Sequence, residues 1–366
     1  MSKPSENSAQ VWVVGGGPAG VAAAIGLALR GLSVRLATPA PAPQPLLGES
    51  LPPAIAPLLV ELGVWADFVR GPHLKCYANE SAWGEQTLRL HSFMTHPVGH
   101  GWHIERAALE AMLLDRARDL GVMMTPSSTS RAGAAFVIDA TGRRSVVALS
   151  RGESRRHRDH QVAVVGLFRN DARAPSATSR VEAVEGGYWY SAPMPFGRTV
   201  CAYFTEPSCW ARQARCGRER AFCDLLARSQ HTRERSDGQK LVSIALYAAG
   251  SSRLTRFYGG DWLAVGDAAV TRDPLSSGGI YEGLRSGLRA ARAVARHLAG
   301  DASAIVGYAG ELEQRFERDA RRRQRLYATE RRFPVAKFWR ERHALDHATP
   351  DRKPEEHAAW PSEISI

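Results

Sequence analysis

Val11-Trp12-Val13-Val14-Gly15-Gly16-Gly17-Pro18-Ala19-Gly20 is the stretch that decides the fold. Four apolar residues in a row read as a buried strand, and the glycines after them read as a tight turn. An alanine-rich run from Val21 to Arg30 then reads as a helix. A strand that enters a helix through such a turn can cradle a pyrophosphate. Gly15 allows the turn, Gly17 lets backbone approach phosphate oxygens, Ala19 lies between them and the helix, and Gly20 lets helix and strand pack closely. The helix start adds unpaired N–H groups and the positive end of a dipole. A second strand is expected at Ser33 to Leu36. Thr38 stands near its end, where an acid for the ribose is usual, so the adenosine end is expected to be held differently.

A second signature lies far down the chain. Trp262 to Val265 reads as a buried strand and feeds Gly266-Asp267-Ala268-Ala269. Asp267 can accept hydrogen bonds from sugar hydroxyls. The segment Asp273-Pro274-Leu275-Ser276-Ser277-Gly278-Gly279-Ile280 then bends at Pro274 and enters a helix near Gly278 and Gly279. N–H groups at that helix start can stabilise negative charge on a ring. A third strand-end turn, Asp139-Ala140-Thr141-Gly142, follows the apolar Phe136-Val137-Ile138. Arg106 opens the helix before it and can pair with phosphate. Read together, these pieces say FAD, and FAD implies redox chemistry.

The chain has 366 residues, 44% hydrophobic and 23% charged, enough for one large or two smaller domains. No apolar run is long enough to span a membrane, and Met1 to Gln10 lacks a signal-peptide core, so a cytoplasmic location is expected. The five cysteines form no CxxC pair, and neither a disulfide framework nor a metal site is expected. Cys209, Cys216 and Cys223 recur every seven residues and could share a helix face. Net charge is +11, without a recognisable nucleic-acid module. Glu311 to His343 carries eleven Lys/Arg against six Asp/Glu and reads as a solvated amphipathic helix or as a dock for an acidic partner.

Helices are expected over Leu51 to Val64, Glu105 to Leu120, Trp210 to Arg228, Gly279 to Leu298, and Ala304 to about Arg342. Strands are expected within Lys75 to Trp102 and at Val162 to Phe168, Tyr188 to Met194, Val200 to Phe204 and Leu241 to Ala248. The organisation is α/β: a Rossmann-type FAD-binding domain (11–72, 100–158 and 256–300) interrupted by a mainly antiparallel β substrate domain (73–99 and 159–255). C-terminal helices (301–345) follow, with tails at 1–10 and 346–366. Substrate then belongs in the crevice between the two domains.

These motifs give the chain a resemblance to the FAD-dependent aromatic hydroxylase and tryptophan-halogenase superfamily. The matching pieces are Gly15 to Gly20, Gly48-Glu49-Ser50, Gly101-Trp102-His103-Ile104-Glu105-Arg106, the turn from Asp139 to Arg143, and Gly266 to Ile280. Within it the chain looks closest to flavoproteins that modify tryptophan in precursors of quinone-cofactor (tryptophylquinone) oxidases and dehydrogenases. Ser81-Ala82-Trp83-Gly84, the run Gly187 to Pro195, Arg331-Arg332-Phe333-Pro334 and Phe338-Trp339 carry that narrower match. Two features depart from the pattern. The stretch from Met124 to Phe136 is short, which predicts weak hold on the adenosine. The halogenase tryptophan pair is replaced by Tyr188-Trp189-Tyr190-Ser191-Ala192-Pro193.

The resemblance implies an aromatic-hydroxylase-like flavoprotein fold and a monooxygenase using O2. Reduced flavin forms a hydroperoxide, and an electron-rich indole attacks its distal oxygen. NADH, NADPH or a separate flavin reductase supplies electrons. The expected substrate is a tryptophan in a protein or peptide, free-standing or carrier-bound. Trp83, Tyr188, Trp189 and Tyr190 are expected to stack on the indole. His103 and Glu49 are candidate proton shuttles, and Ser50 joins the cofactor site. A halogenase is the alternative, with Lys75 as carrier of the halogenating species. A flavoprotein chaperone without turnover is the third reading.

Overall fold

The structure, a computed structural model, describes residues 10–38, 49–126, 133–169, 176–276 and 278–344. The expected tails and the proline-rich loop after Thr38 lie outside these residues, as does most of the segment between Met124 and Phe136.

Five parallel strands form the first sheet, in the order Trp262–Ala264, Phe136–Asp139, Val11–Val14, Val34–Thr38, Met123–Pro126. Val11–Val14 is buried from end to end, as a central parallel strand must be. Its register against Phe136–Asp139 and Val34–Thr38 brings the ends of all three to one edge of the sheet. The helices Pro18–Ala28 and Gly279–Leu298 cover this sheet and touch each other through small residues. A Cβ at Gly287 would collide with the Ala19 carbonyl, and one at Gly26 with the Ala291 side chain. The two glycine signatures are therefore held together by a backbone-to-backbone helix contact.

The second large sheet has seven strands: Lys240–Ala248, Val162–Arg169, Arg198–Thr205, Gly187–Met194, Thr178–Val184, Ala78–Ala82, Arg89–Ser92. Its pairings are antiparallel except between Thr178–Val184 and Ala78–Ala82. Leu74–Cys76 pairs instead with Gly101–Ile104, which also pairs with Glu49–Leu51. The chain thus changes sheets between Cys76 and Ala78. One face of the seven-stranded sheet packs on the C-terminal helices through Trp83, Tyr188, Leu326, Tyr327, Phe338 and Trp339. The other face packs Trp189 and Tyr203 against Trp210 and Phe222.

Two expected helices are broken. Gly217, at φ +112°, separates Pro207–Gln213 and a short 3-10 turn from Arg218–Arg228. Cys209 is buried while Cys216 and Cys223 are exposed, so the seven-residue recurrence makes no common face. The C-terminal run divides into Ser303–Thr329 and Lys337–Ala344, with Pro334 in the break. The strand Thr178–Val184 had no counterpart in the sequence reading. Its polar residues, Glu182 among them, mask the alternation, because the Glu182 carboxylate is buried and accepts hydrogen bonds from the Gln230, His231 and Thr232 amides. No described helix is long and apolar enough to cross a membrane.

Candidate functional site

The ends of the parallel strands and one face of the seven-stranded sheet enclose a cavity of about 400 Å³. Its floor comes from three turns. Gly17, Pro18 and Ala19 come from the first, Ala140, Gly142 and Arg143 from the second, and Asp267 from the third. Pro274, Gly278, Gly279 and Ile280 close one side, where Gly279–Leu298 begins. Ser50 and Arg106 also line the cavity. Ten expected cofactor residues therefore meet at one space: Gly17, Ala19, Ser50, Arg106, Gly142, Asp267, Pro274, Gly278, Gly279 and Ile280.

Gly15, Gly20 and Gly266 shape this floor from beneath. Gly15 has φ +119°, and a Cβ there would collide with the Ala140 carbonyl; a Cβ at Gly20 would collide with the Gly15 carbonyl. Gly17 is different. A Cβ built on it meets no heavy atom within 4 Å, so its backbone faces open space. That is the condition for phosphate to approach the chain at the start of Pro18–Ala28, and Arg106, Arg143 and Arg272 are among the residues that line the same cavity. Arg106 is steadied by Glu110, 2.8 Å away. Asp267 keeps much of its side chain accessible, and its nearest cation is Arg143 at 3.8 Å. The donor set fits FAD.

Asp139 is a correction. It is fully buried and does not line the cavity. Its carboxylate accepts hydrogen bonds from Thr141 N (3.0 Å), Thr141 Oγ1 (2.7 Å) and Ala148 N (2.9 Å). Asp139 builds the turn, and the turn presents Ala140, Gly142 and Arg143.

The opposite wall is the inner face of the seven-stranded sheet: Ala163, Val165, Val200, Ala202 and Phe204, with the phenols Tyr188, Tyr190 and Tyr247. Side chains alternate across a strand, so Tyr188 and Tyr190 face the cavity while Trp189 points the other way. Trp189 packs 4.9 Å from Tyr203 and 5.2 Å from Phe222, centroid to centroid. Trp83 also departs from expectation. It does not line the cavity but packs among Tyr188, Tyr327 and Trp339, and donates Nε1–H to the Leu326 carbonyl at 2.7 Å. The C-terminal motif clamps the same corner: Arg332 pairs with buried Glu330, which accepts the Gly84 amide at 2.8 Å.

His103 lies behind the wall, fully buried. Its Nδ1 is 2.7 Å from Ser50 Oγ, which is 2.7 Å from the Tyr190 hydroxyl. Burial pulls the imidazole down to about 3, so the ring is neutral. His103 Nε2 has no hydrogen-bond partner among the described residues. His103 thus reaches the cavity only through Ser50 and Tyr190. Of Glu49 the structure describes the backbone alone, in the strand Glu49–Leu51 paired with Ile104. Lys75 is solvent-exposed on Leu74–Cys76 and lines no part of the cavity; the described lining residues include no lysine.

Several site residues escaped the sequence reading. Asp273 lines the cavity, and its buried carboxyl is pushed up chiefly by desolvation. It accepts a hydrogen bond from the Tyr327 hydroxyl at 3.0 Å, and Tyr188 OH lies 3.4 Å away. Arg143, Arg272 and Tyr247 were also missed. The period-two runs Ala163/Val165 and Val200/Ala202/Phe204 were the available signal for the wall. Only their choice of face was undetermined.

No protein-family model matches the chain. It is 27% identical to the provisionally assigned FAD-dependent oxidoreductase LodB of Marinomonas mediterranea, over 92% of this chain and 98% of that protein. Among solved structures it resembles the flavin-dependent halogenase CmlS, with TM-score 0.81 and 23% identity over 92% of this chain and 68% of that one. The myxobacterial chondrochloren halogenase CndH gives TM-score 0.77 and 24% identity over 93% and 87%. The peptidyl tryptophan dihydroxylase QhpG, described as essential for tryptophylquinone cofactor biogenesis, gives TM-score 0.75 and 22% identity over 92% and 78%. The chain has the fold of the FAD-dependent halogenases and hydroxylases.

Proposed function

We propose that this chain is an FAD-dependent monooxygenase that hydroxylates a tryptophan side chain within a protein or peptide. The observation that carries the reading is the continuity of the cavity. One space runs from the phosphate cradle at Gly17 to an apolar wall set with three tyrosines, and no lysine lines it among the described residues. Bound FAD would supply oxygen activation once reduced; the residues around it supply position and dryness. Gly17 and the helix start at Pro18 would hold the pyrophosphate, Asp267 a sugar hydroxyl, and the helix start at Gly279 negative charge on the ring. Ala163, Val165, Val200 and Ala202 leave a smooth apolar surface on which an indole can lie and from which water is excluded. Tyr190, oriented through Ser50 by neutral His103, places a hydroxyl at the edge of that surface. Tyr188 and Tyr327, both pushed well above the usual phenol range chiefly by burial, stay protonated beside Asp273.

The likeness to QhpG, described as a peptidyl tryptophan dihydroxylase, supports a tryptophan substrate, and the exposed position of Lys75, away from the cavity, speaks against halogenation. The test is the visible spectrum of the purified full chain with FAD, before and after NADH or NADPH in air, with a tryptophan peptide present. Bound flavin that bleaches and recovers while the peptide gains oxygen is the expected result. Bound flavin indifferent to nicotinamide assigns the electrons to a reductase. Halide-dependent product, or no bound flavin, overturns the reading.

A further inference from the structure

The seven-stranded sheet ends in a strand whose outer side has no backbone pairing among the described residues. Lys240–Ala248 is nine residues long and occupies the sheet edge, pairing among the described residues only with Val162–Arg169. Its other row of N–H and C=O groups has no backbone partner among the described residues. Long edge strands of this kind are normally blunted by charge, proline or distortion, because they template the addition of another strand. Here one irregularity sits near Val242, at the outer end. From Ser243 to Ala248 the strand is regular and contains no charge, glycine or proline. Val242 and Leu246 are exposed, at 54% and 44%. The inner end of the same strand is part of the cavity: Tyr247, Ala248 and the following Ala249 line it.

We propose that Lys240–Ala248 is the docking rail for the substrate polypeptide, which adds to the sheet as an extended strand and delivers its tryptophan to the cavity rim at Tyr247. This rests on the reading above that the substrate is a peptidyl tryptophan. The occupant follows from the groups offered. A row of unpaired backbone donors and acceptors is matched by an extended polypeptide backbone and by no small molecule. An added strand lies about 4.8 Å outside the edge, with its side chains alternating between the faces. Those on the inner face fall beside Ser243, Ala245 and Tyr247, the face on which Ala163 and Val165 form the cavity wall. A tryptophan placed next to Tyr247 needs only its own side-chain length to enter. Recognition by backbone also leaves the flanking sequence of the substrate largely free.

The test uses the full chain with FAD and the probe acetyl-Asp-Thr-Val-Thr-Trp-Thr-Val-Thr-Asp-amide, its ends acidic to suit the basic protein. Two N-methylated versions accompany it, one methylated on the threonines and the other on the valines and tryptophan. N-acetyltryptophanamide is the short reference. Edge pairing requires that one methylated version lose about tenfold or more in KM while the other behaves like the parent, since successive amides point in opposite directions. In hydrogen exchange, the parent peptide should protect amides within Ser243–Ala248. If both methylated peptides match the parent, or the parent has no lower KM than N-acetyltryptophanamide, edge docking is wrong while the hydroxylase reading stands. If nothing is oxidised, the functional reading fails, and exchange alone decides the docking: protection keeps it, none removes it. Protection that grows with protein concentration without peptide assigns the edge to a second copy of the chain and overturns the proposal.

Discussion

At the glycine turn and on the strand Gly187–Met194 the same cavity is built by opposite means. The turn works through the backbone, and a side chain at Gly15 or Gly20 would occupy space already filled by a carbonyl. The strand works through side chains, and its backbone only sorts them, with Tyr188 and Tyr190 inward and Trp189 outward. A motif whose residues are demanded by backbone geometry states its own place. A run of aromatics does not, because each ring is equally at home in a core or in a site.

The sharpest way to break this contrast is inside the turn. Gly15→Ala forces a side chain into φ +119° and onto the Ala140 carbonyl, which should cost at least about 3 kcal/mol and abolish flavin binding. Gly17→Ala meets no neighbouring atom. It should leave the melting temperature of flavin-free protein unchanged while weakening FAD in a fluorescence titration. Equal unfolding of both variants would show that the turn is not divided into shaping and binding positions.

On the strand, Trp189→Ala should cost roughly 3–5 kcal/mol in denaturant unfolding, as expected for a large buried ring. Tyr190→Phe should keep stability and lower kcat/KM for the tryptophan peptide. If Trp189→Ala reduces turnover without loss of stability, the two faces have been assigned the wrong way round.

His103 gives a prediction in pH. Burial holds it at about 3, below its unfolded value of about 6.5. Below pH 6.5 the unfolded chain therefore binds a proton that the folded chain refuses, and stability falls as pH falls. Between pH 6.5 and 5, above the carboxylate range, the loss from this group should reach about 2 kcal/mol. His73, pulled down to about 4 by burial, adds in the same direction. Unfolding curves of His103→Gln across that interval should show a shallower slope; an unchanged slope would remove His103 as the cause. The smallest effect belongs to Lys75. Lys75→Ala, on an exposed strand position, should change stability by less than about 0.5 kcal/mol and leave product formation unaltered with or without halide.

Much of the site follows from local rules alone. The strand, glycine turn and helix at Val11 to Ala28, the turn at Gly266-Asp267 and the helix start at Gly278-Gly279 are each dictated by residues adjacent in sequence. The geometry they offer, close backbone turns opening onto one cavity at helix starts, is legible in the sequence because backbone freedom and helix polarity are properties of short segments. Tertiary packing decided the rest. Asp139 looked like a ligand until Ala148, nine residues on, was seen to donate to its carboxylate. Trp83 looked like a substrate platform until the C-terminal helix supplied the Leu326 carbonyl to its indole. His103 could be placed near the reaction from its motif, but only the pairing of Ser50 with Tyr190 shows how it reaches the cavity. Sequence determines which groups a segment can offer. Which of them remain free for a ligand depends on contacts between residues far apart in the chain, and those exist only once the sheets and helices have closed around one another.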